Sequence, residues 1–292
     1  MGIALGTAQF GLNYGIANKS GQIKIGEVKK IIDIAAKNNI DTIDTAISYG
    51  ESEKLLGNAG INDWKIITKL PIIPNENVNT KKWVKEQISS SLSRLNITSL
   101  ESVLLHQTKQ LLEPGGSHVW SALQELKQDG VINKVGFSIY NPEELDVLQC
   151  DYNPDIVQAP YNIFDRRLKT SGWLRKLNER GVEVHSRSAF LQGLLLLKKS
   201  ERPEKFNYWS DLWHLWDSWL EDMGVTALEA TLCFVLSEPC ISKVIIGVDN
   251  LDILSKNIGF ASSADMSIKI SDELSRYSIQ DKNILFPHNW IV

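Results

Sequence analysis

Four side chains able to exchange protons or carry charge, Asp44, Tyr49, Lys69 and His106, stand in or just beyond short apolar runs within the first 106 residues of a 292-residue chain. Asp44 closes DTID and opens DTAISYG, and Tyr49 follows five residues later, before Gly50. Lys69 comes directly after KIIT, and His106 ends SVLLH. Taken singly, each has an ordinary explanation: a helix cap for the aspartate, a solvated lysine, a core imidazole behind two leucines. Together they ask for another. If the three runs are neighbouring strands ending on one rim, a carboxylate, a phenol, an ammonium and an imidazole converge there. These are the groups from which general acid–base sites are assembled, and an aspartate and a lysine buried without each other would be costly.

The elements that would position these groups repeat along the whole chain. Strand candidates are 3–5, 41–44, 65–68, 102–106, 134–138, 155–159, 182–186 and 243–247, several of them nearly all apolar. Between them lie segments of helical period, among them EVKKIIDIAAKNN, SEKLLGNA, TKKWVKEQISSSLSRL, VWSALQELKQDG, PEELDVLQ, RRLKTSGWLRKLNERG and TALEATLCFVLSEP. Eight strand–helix units with no Pro/Gly-rich linker read as parallel βα units covered on both faces. The expected fold class is α/β, a (β/α)8 TIM barrel forming one domain over 1–292, with chemistry at the C-terminal strand ends. A doubly wound open sheet would want GxGxxG after the first strand, and GTAQFG lacks that spacing. Two insertions interrupt the alternation: PGG at 114–116 and a Trp-rich loop and helix at about 189–225. In the latter, Trp209, Trp213 and Trp216 recur at i, i+4 and i+7, a stripe expected to pack on the barrel.

Bulk properties narrow the function classes. Hydrophobic residues make up 43% and charged residues 23%, and the net charge is −4. Nothing there favours nucleic acid or an anionic membrane surface. No apolar run approaches the roughly 20 residues of a membrane span, and MGIALGTAQF has no basic start leading into an apolar core, so no signal peptide is expected. Three cysteines without CxxC spacing (Cys150, Cys233, Cys240) read as reduced thiols, and the expected location is the cytoplasm.

Several stretches, in order, resemble the aldo-keto reductases. DTAISYG-ESEKLLG is similar to that family's DTAxxYG and SExxLG; Thr68-Lys69 and Leu104-Leu105-His106 match its TK and LLH. GFSIYN, VQAPYN, SRSAFLQGLL and VIIGVDNLDILSKN resemble its later turns and its cofactor-phosphate segment. The resemblance implies a nicotinamide cofactor, NADP(H) or NAD(H), and a small carbonyl compound as substrate. It implies that Tyr49 donates a proton to the carbonyl oxygen, that His106 orients that oxygen, and that Lys69, held by Asp44, lowers the phenol's pKa from about 10. It also implies cofactor contacts. Gly6, Thr7, Ala8 and Asp44 would lie beneath the cofactor, with Ser138, Gln158 and Asn162 at its carboxamide. Arg187, Ser188, Leu191 and Gly193 would lie alongside, and Gly247, Val248, Asp249, Asn250, Lys256 and Asn257 at the adenosine end. No metal is implied.

Two positions depart from the family pattern. Arg187 stands where many relatives stack an aromatic on the nicotinamide, and its guanidinium could stack there or meet an anionic substrate. Asp249 and Ile253 stand where NADP-binding relatives place groups for the 2′-phosphate, which favours NAD. Two rivals to a carbonyl reductase are a cofactor-binding regulatory subunit with little turnover and a non-redox barrel enzyme that binds no dinucleotide.

Overall fold

The computed structural model describes residues 2–74, 79–263 and 279–290. Eight parallel strands close into a barrel in chain order: β1 Ile3–Gly6, β2 Thr42–Asp44, β3 Lys65–Leu70, β4 Leu100–Leu105, β5 Ile132–Ser138, β6 Ile156–Pro160, β7 Glu183–Arg187 and β8 Lys243–Gly247. β8 pairs back onto β1 with Gly6 opposite Gly247. Helices over Ile25–Lys37, Ser52–Ala59, Thr80–Leu95, Gly116–Gln128, Glu143–Leu148, Ala227–Leu236 and Leu251–Ser263 surround it.

Local chemistry explains the helices. In Ile25–Lys37 the residues facing the barrel are Val28, Ile31, Ile32 and Ala35, spaced i, i+3, i+4, i+7. Asn79 caps the next long helix through Oδ1, which accepts from the Lys82 N–H at 3.1 Å. Thr226 and Glu229 form a reciprocal capping box. The expected long helix over 166–181 is instead two short ones, Arg167–Thr170 and Trp173–Glu179. They are parted at Gly172, whose φ of 81° no helix accommodates.

The Trp-rich insertion packs, as its period implied. Its helix spans Ser210–Met223 and buries Trp213, Trp216 and Trp219. Trp213 and Trp216 each lie 5.7 Å from Phe164, ring to ring. Trp209 precedes the helix and donates its indole N–H to Asp281 at 3.0 Å. Among the described residues no helix is long and apolar enough to cross a membrane, and Cys150, Cys233 and Cys240 are in no disulfide.

Candidate active site

Strand register brings the sequence-selected groups to one end of the barrel. Asp44 stands opposite Gly6 on β1 and Ile67 on β3. Lys69 is two residues beyond Ile67, on the same face of β3 and one pleat nearer the rim. It lies within β3, not after it, because Lys69 and Leu70 still pair with Leu104 and Leu105 of β4. His106 is the first residue past β4, its N–H bonded to the Leu70 carbonyl at 3.0 Å. Below them Ile67, Leu104 and Ile156 make a small apolar cluster apart from the main core.

Asp44 and Lys69 form a buried ion pair. Lys69 Nζ lies 2.5 Å from Asp44 Oδ1 and donates to the Thr45 carbonyl at 2.9 Å. Gln158 Nε2 donates to the other Asp44 oxygen at 2.7 Å. Both carboxylate oxygens are therefore bonded, as a buried charge requires. Gln158, expected at a ligand's carboxamide, also orients this carboxylate.

Tyr49 is held between these groups and His106. The Lys69 ammonium lies 5.1 Å from its ring centroid, and its ring meets that of His106 edge-on at 5.9 Å. Two glycines seat the loop: a Cβ on Gly11 would fall 1.7 Å from the Tyr49 carbonyl oxygen, and Gly50 has φ 52°. Burial raises the Tyr49 phenol's pKa above its ordinary value, the Asp44 carboxylate adds to the rise, and Arg187 opposes it. The net lowering expected from Lys69 is not seen, because burial and the Asp44 carboxylate outweigh an ammonium whose charge Asp44 already meets at 2.5 Å. Burial lowers the Lys69 pKa itself, against the pull of Asp44. Burial also carries His106 down to about 3, helped by the charges of Lys69 and Arg187. At neutral pH the site thus presents a protonated phenol and a neutral imidazole. Ser48 Oγ lies 3.2 Å from His106 Nδ1. When the hydroxyl donates there, the ring proton sits on Nε2.

These residues line a cleft of about 720 Å³. Of the positions singled out in the sequence, Gly6, Thr7, Ala8, Asp44, Tyr49, Lys69, His106, Ser138, Gln158, Arg187, Ser188, Gly193, Gly247, Asp249 and Asn250 border it. Five do not. Asn162 is fully buried and ties its own loop to the one after β7, donating to the Ser188 carbonyl at 3.0 Å and accepting from the Phe164 and Asp165 N–H groups at 2.9 Å. Leu191 and Val248 are core residues. Lys256 is exposed on the last barrel helix, and Asn257 is buried there with Nδ2 unbonded to any described residue.

Sequence reasoning missed other walls of the cleft. Tyr14 Oη accepts from Gln192 at 3.2 Å, and Lys19 pairs with Glu201 at 2.9 Å, joining the loop after β1 to the insertion after β7. Gln9, also in the wall, is buried with Oε1 unpartnered among the described residues. Ser48 and Gln192 lay inside recognised motifs; Tyr14, Lys19 and Glu201 are on loops whose meeting no local pattern records.

A model of the Aldo/keto reductase family matches residues 2–276. An uncharacterized oxidoreductase of Bacillus subtilis, YqkF, is 25% identical over 273 residues, 86% of this chain and 87% of its own. D-arabinose 1-dehydrogenase of Saccharomyces cerevisiae is 33% identical over 122 residues, 39% of this chain and 36% of its own. Among solved structures, aldo-keto reductase AKR11C1 of Bacillus halodurans in its holo form superposes with a TM-score of 0.74. It is 20% identical, with 96% of this chain and 93% of that one covered, a likeness of fold. With the family match running over nearly its whole length and an eight-stranded barrel of that fold, this chain belongs to the aldo/keto reductase family and is an oxidoreductase.

Proposed function

We propose that the protein reduces an aldehyde or ketone to an alcohol at the expense of NADPH or NADH, with Tyr49 as proton donor. The observation that carries this reading is the protonated Tyr49 phenol beside a neutral His106 and a buried Asp44–Lys69 pair, at one end of a deep cleft.

The residues present fit a dinucleotide. The cleft's volume is within the usual range for cofactor sites, and it runs from Tyr49 and His106 to Gly247, Asp249 and Asn250, where the helix Leu251–Ser263 begins. Asn250 Oδ1 caps that helix by accepting from the Ile253 N–H at 3.0 Å. Gln9 Oε1, in the cleft wall, is a buried polar atom unpartnered among the described residues, and such atoms are ordinarily bonded. Ser138 and Gln158 would hold the carboxamide, and the Gly247–Asn250 turn the phosphates. When bound, the cofactor supplies a hydride to the carbonyl carbon.

Each chain residue then has a defined task. His106 Nε2–H donates a hydrogen bond to the carbonyl oxygen and orients it. As the C=O bond's π pair moves onto that oxygen, Tyr49 Oη gives it a proton and becomes phenolate. A developing alkoxide is a stronger base than a phenolate, so the transfer proceeds although burial raises the phenol's pKa. The ammonium of Lys69 stabilises the phenolate until a proton returns, and Asp44 keeps that ammonium charged and in place. The half-buried Asp249 borders the cleft at its far end, which supports a preference leaning toward NADH. A cytoplasmic location belongs to the same proposal.

Titrating NADPH and NADH against tryptophan fluorescence, then following oxidation of either with a panel of aldehydes and ketones, tests the proposal. Binding with aldehyde-dependent oxidation is expected. Binding without any turnover would point to a regulatory subunit, and no binding to a non-redox barrel.

A further inference from the structure

We propose that Arg187 is an oxyanion receptor in the carbonyl pocket, so that the substrate carries a carboxylate or a phosphate as well as its carbonyl group. The inference rests on the reductase reading above and names the substrate class it would serve.

Arg187 is the last residue of β7, in register with Pro160. Its guanidinium is braced on one side. Nη2 donates to the Ile139 carbonyl at 3.0 Å, Nη1 to Ser188 Oγ at 3.3 Å, and Cζ lies 4.5 Å from the Tyr140 ring centroid. Tyr140 is itself held edge-on by Phe286 at 6.3 Å and His288 at 5.5 Å. These partners are neutral acceptors and an aromatic ring. Among the described residues none supplies Arg187 with a carboxylate, whereas the other cations in the cleft wall have one: Lys69 has Asp44, and Lys19 has Glu201. A half-buried guanidinium left without a counter-ion, with five donors and two bonded to neutral oxygens, offers a planar fork to an oxyanion. Its charge reaches the reacting groups, since it acts on both Tyr49 and His106. One small molecule can therefore present its carbonyl to Tyr49 and its anion to Arg187.

The test compares two matched pairs of aldehydes, butanal with succinate semialdehyde and glyceraldehyde with glyceraldehyde 3-phosphate, in wild type, Arg187→Gln and Arg187→Lys. The wild type should favour the anionic member of at least one pair, and which pair responds separates carboxylate from phosphate. Arg187→Gln should cut the anionic-to-neutral ratio of kcat/KM on the order of ten- to a hundred-fold, the scale of a lost charge-assisted bond. Arg187→Lys, which keeps the charge, should retain most of the ratio. Ratios unmoved by Arg187→Gln overturn the proposal, whatever happens to dinucleotide affinity. Calorimetric titration of the free protein with the same four compounds needs no turnover. Binding of an anionic member that Arg187→Gln abolishes sustains the anion site even if no aldehyde is reduced. Reduction of all four with unmoved ratios would sink the anion site and leave the reductase standing.

Discussion

Lys69→Met removes one half of an ion pair whose side chains are 1% and 5% exposed. Asp44 would keep one donor, Gln158 at 2.7 Å, and the Thr45 carbonyl would lose the ammonium that now bonds it at 2.9 Å. Breaking a buried pair by deleting one partner typically costs about 3–5 kcal/mol. For a chain of this length that amounts to a fall of roughly 5–8 °C in Tm. The cost lies in the stranded carboxylate, so Asp44→Asn placed on top should restore part of it. Asp44→Asn/Lys69→Met is expected to be more stable than Lys69→Met by about 2 kcal/mol, as expected when an uncompensated charge is neutralised. Urea titration of the wild type, the single variant and the double variant measures both differences. A Lys69→Met protein within about 1 kcal/mol of wild type, or a double variant no more stable than the single one, would refute the buried-pair argument.

Two further outcomes follow from the same geometry. His106 titrates at about 3 in the folded protein and near 6.5 when unfolded. The unfolded chain therefore binds the extra proton between those values, and stability falls as pH drops through that window. His106→Gln should remove roughly 3 kcal/mol of that acid sensitivity between pH 7 and pH 4, read as a wild-type-minus-variant difference in urea midpoints at the two pH values; equal differences would show that burial of His106 does not govern it. At the far end of the cleft, NADH should bind no worse than about tenfold more weakly than NADPH, a gap of about 1.4 kcal/mol. Asp249→Arg should move the balance toward NADPH in a fluorescence titration. A strong wild-type NADPH preference that the variant leaves unchanged would show that Asp249 does not face the ribose.

How much of this was legible in the sequence follows from how local each feature is. The strands were, because eight apolar runs separated by helical periods admit few closures. Asp44, Lys69 and His106 follow from them, since strand ends in a parallel barrel share one rim. The sense of the Tyr49 shift was not legible. It depends on burial and on Asp44 meeting the Lys69 charge at 2.5 Å, a balance of distances that motif spacing does not carry. The walls built by Tyr14 with Gln192 and by Lys19 with Glu201 join segments 178 and 182 residues apart. Asn162 shows the converse: its motif carried the expectation of a ligand contact, while its side chain bonds its own loop and the Ser188 carbonyl after β7, which motif spacing does not record. Gly172 breaks a helix whose apolar spacing otherwise continues through it.

The central claim is that Tyr49 delivers the proton as hydride reaches the carbonyl carbon, and Tyr49→Phe tests it most directly, because it removes one oxygen from an otherwise unchanged ring. Single-turnover oxidation of enzyme-bound NADPH or NADH by an accepted aldehyde should slow on the order of a hundredfold or more, the usual scale for a lost general acid. The Kd of the reduced dinucleotide should stay within about threefold of wild type, since under the proposed mechanism the phenol would bond the carbonyl and not the cofactor. A Tyr49→Phe enzyme that turns over at the wild-type rate with unchanged dinucleotide affinity would contradict the account.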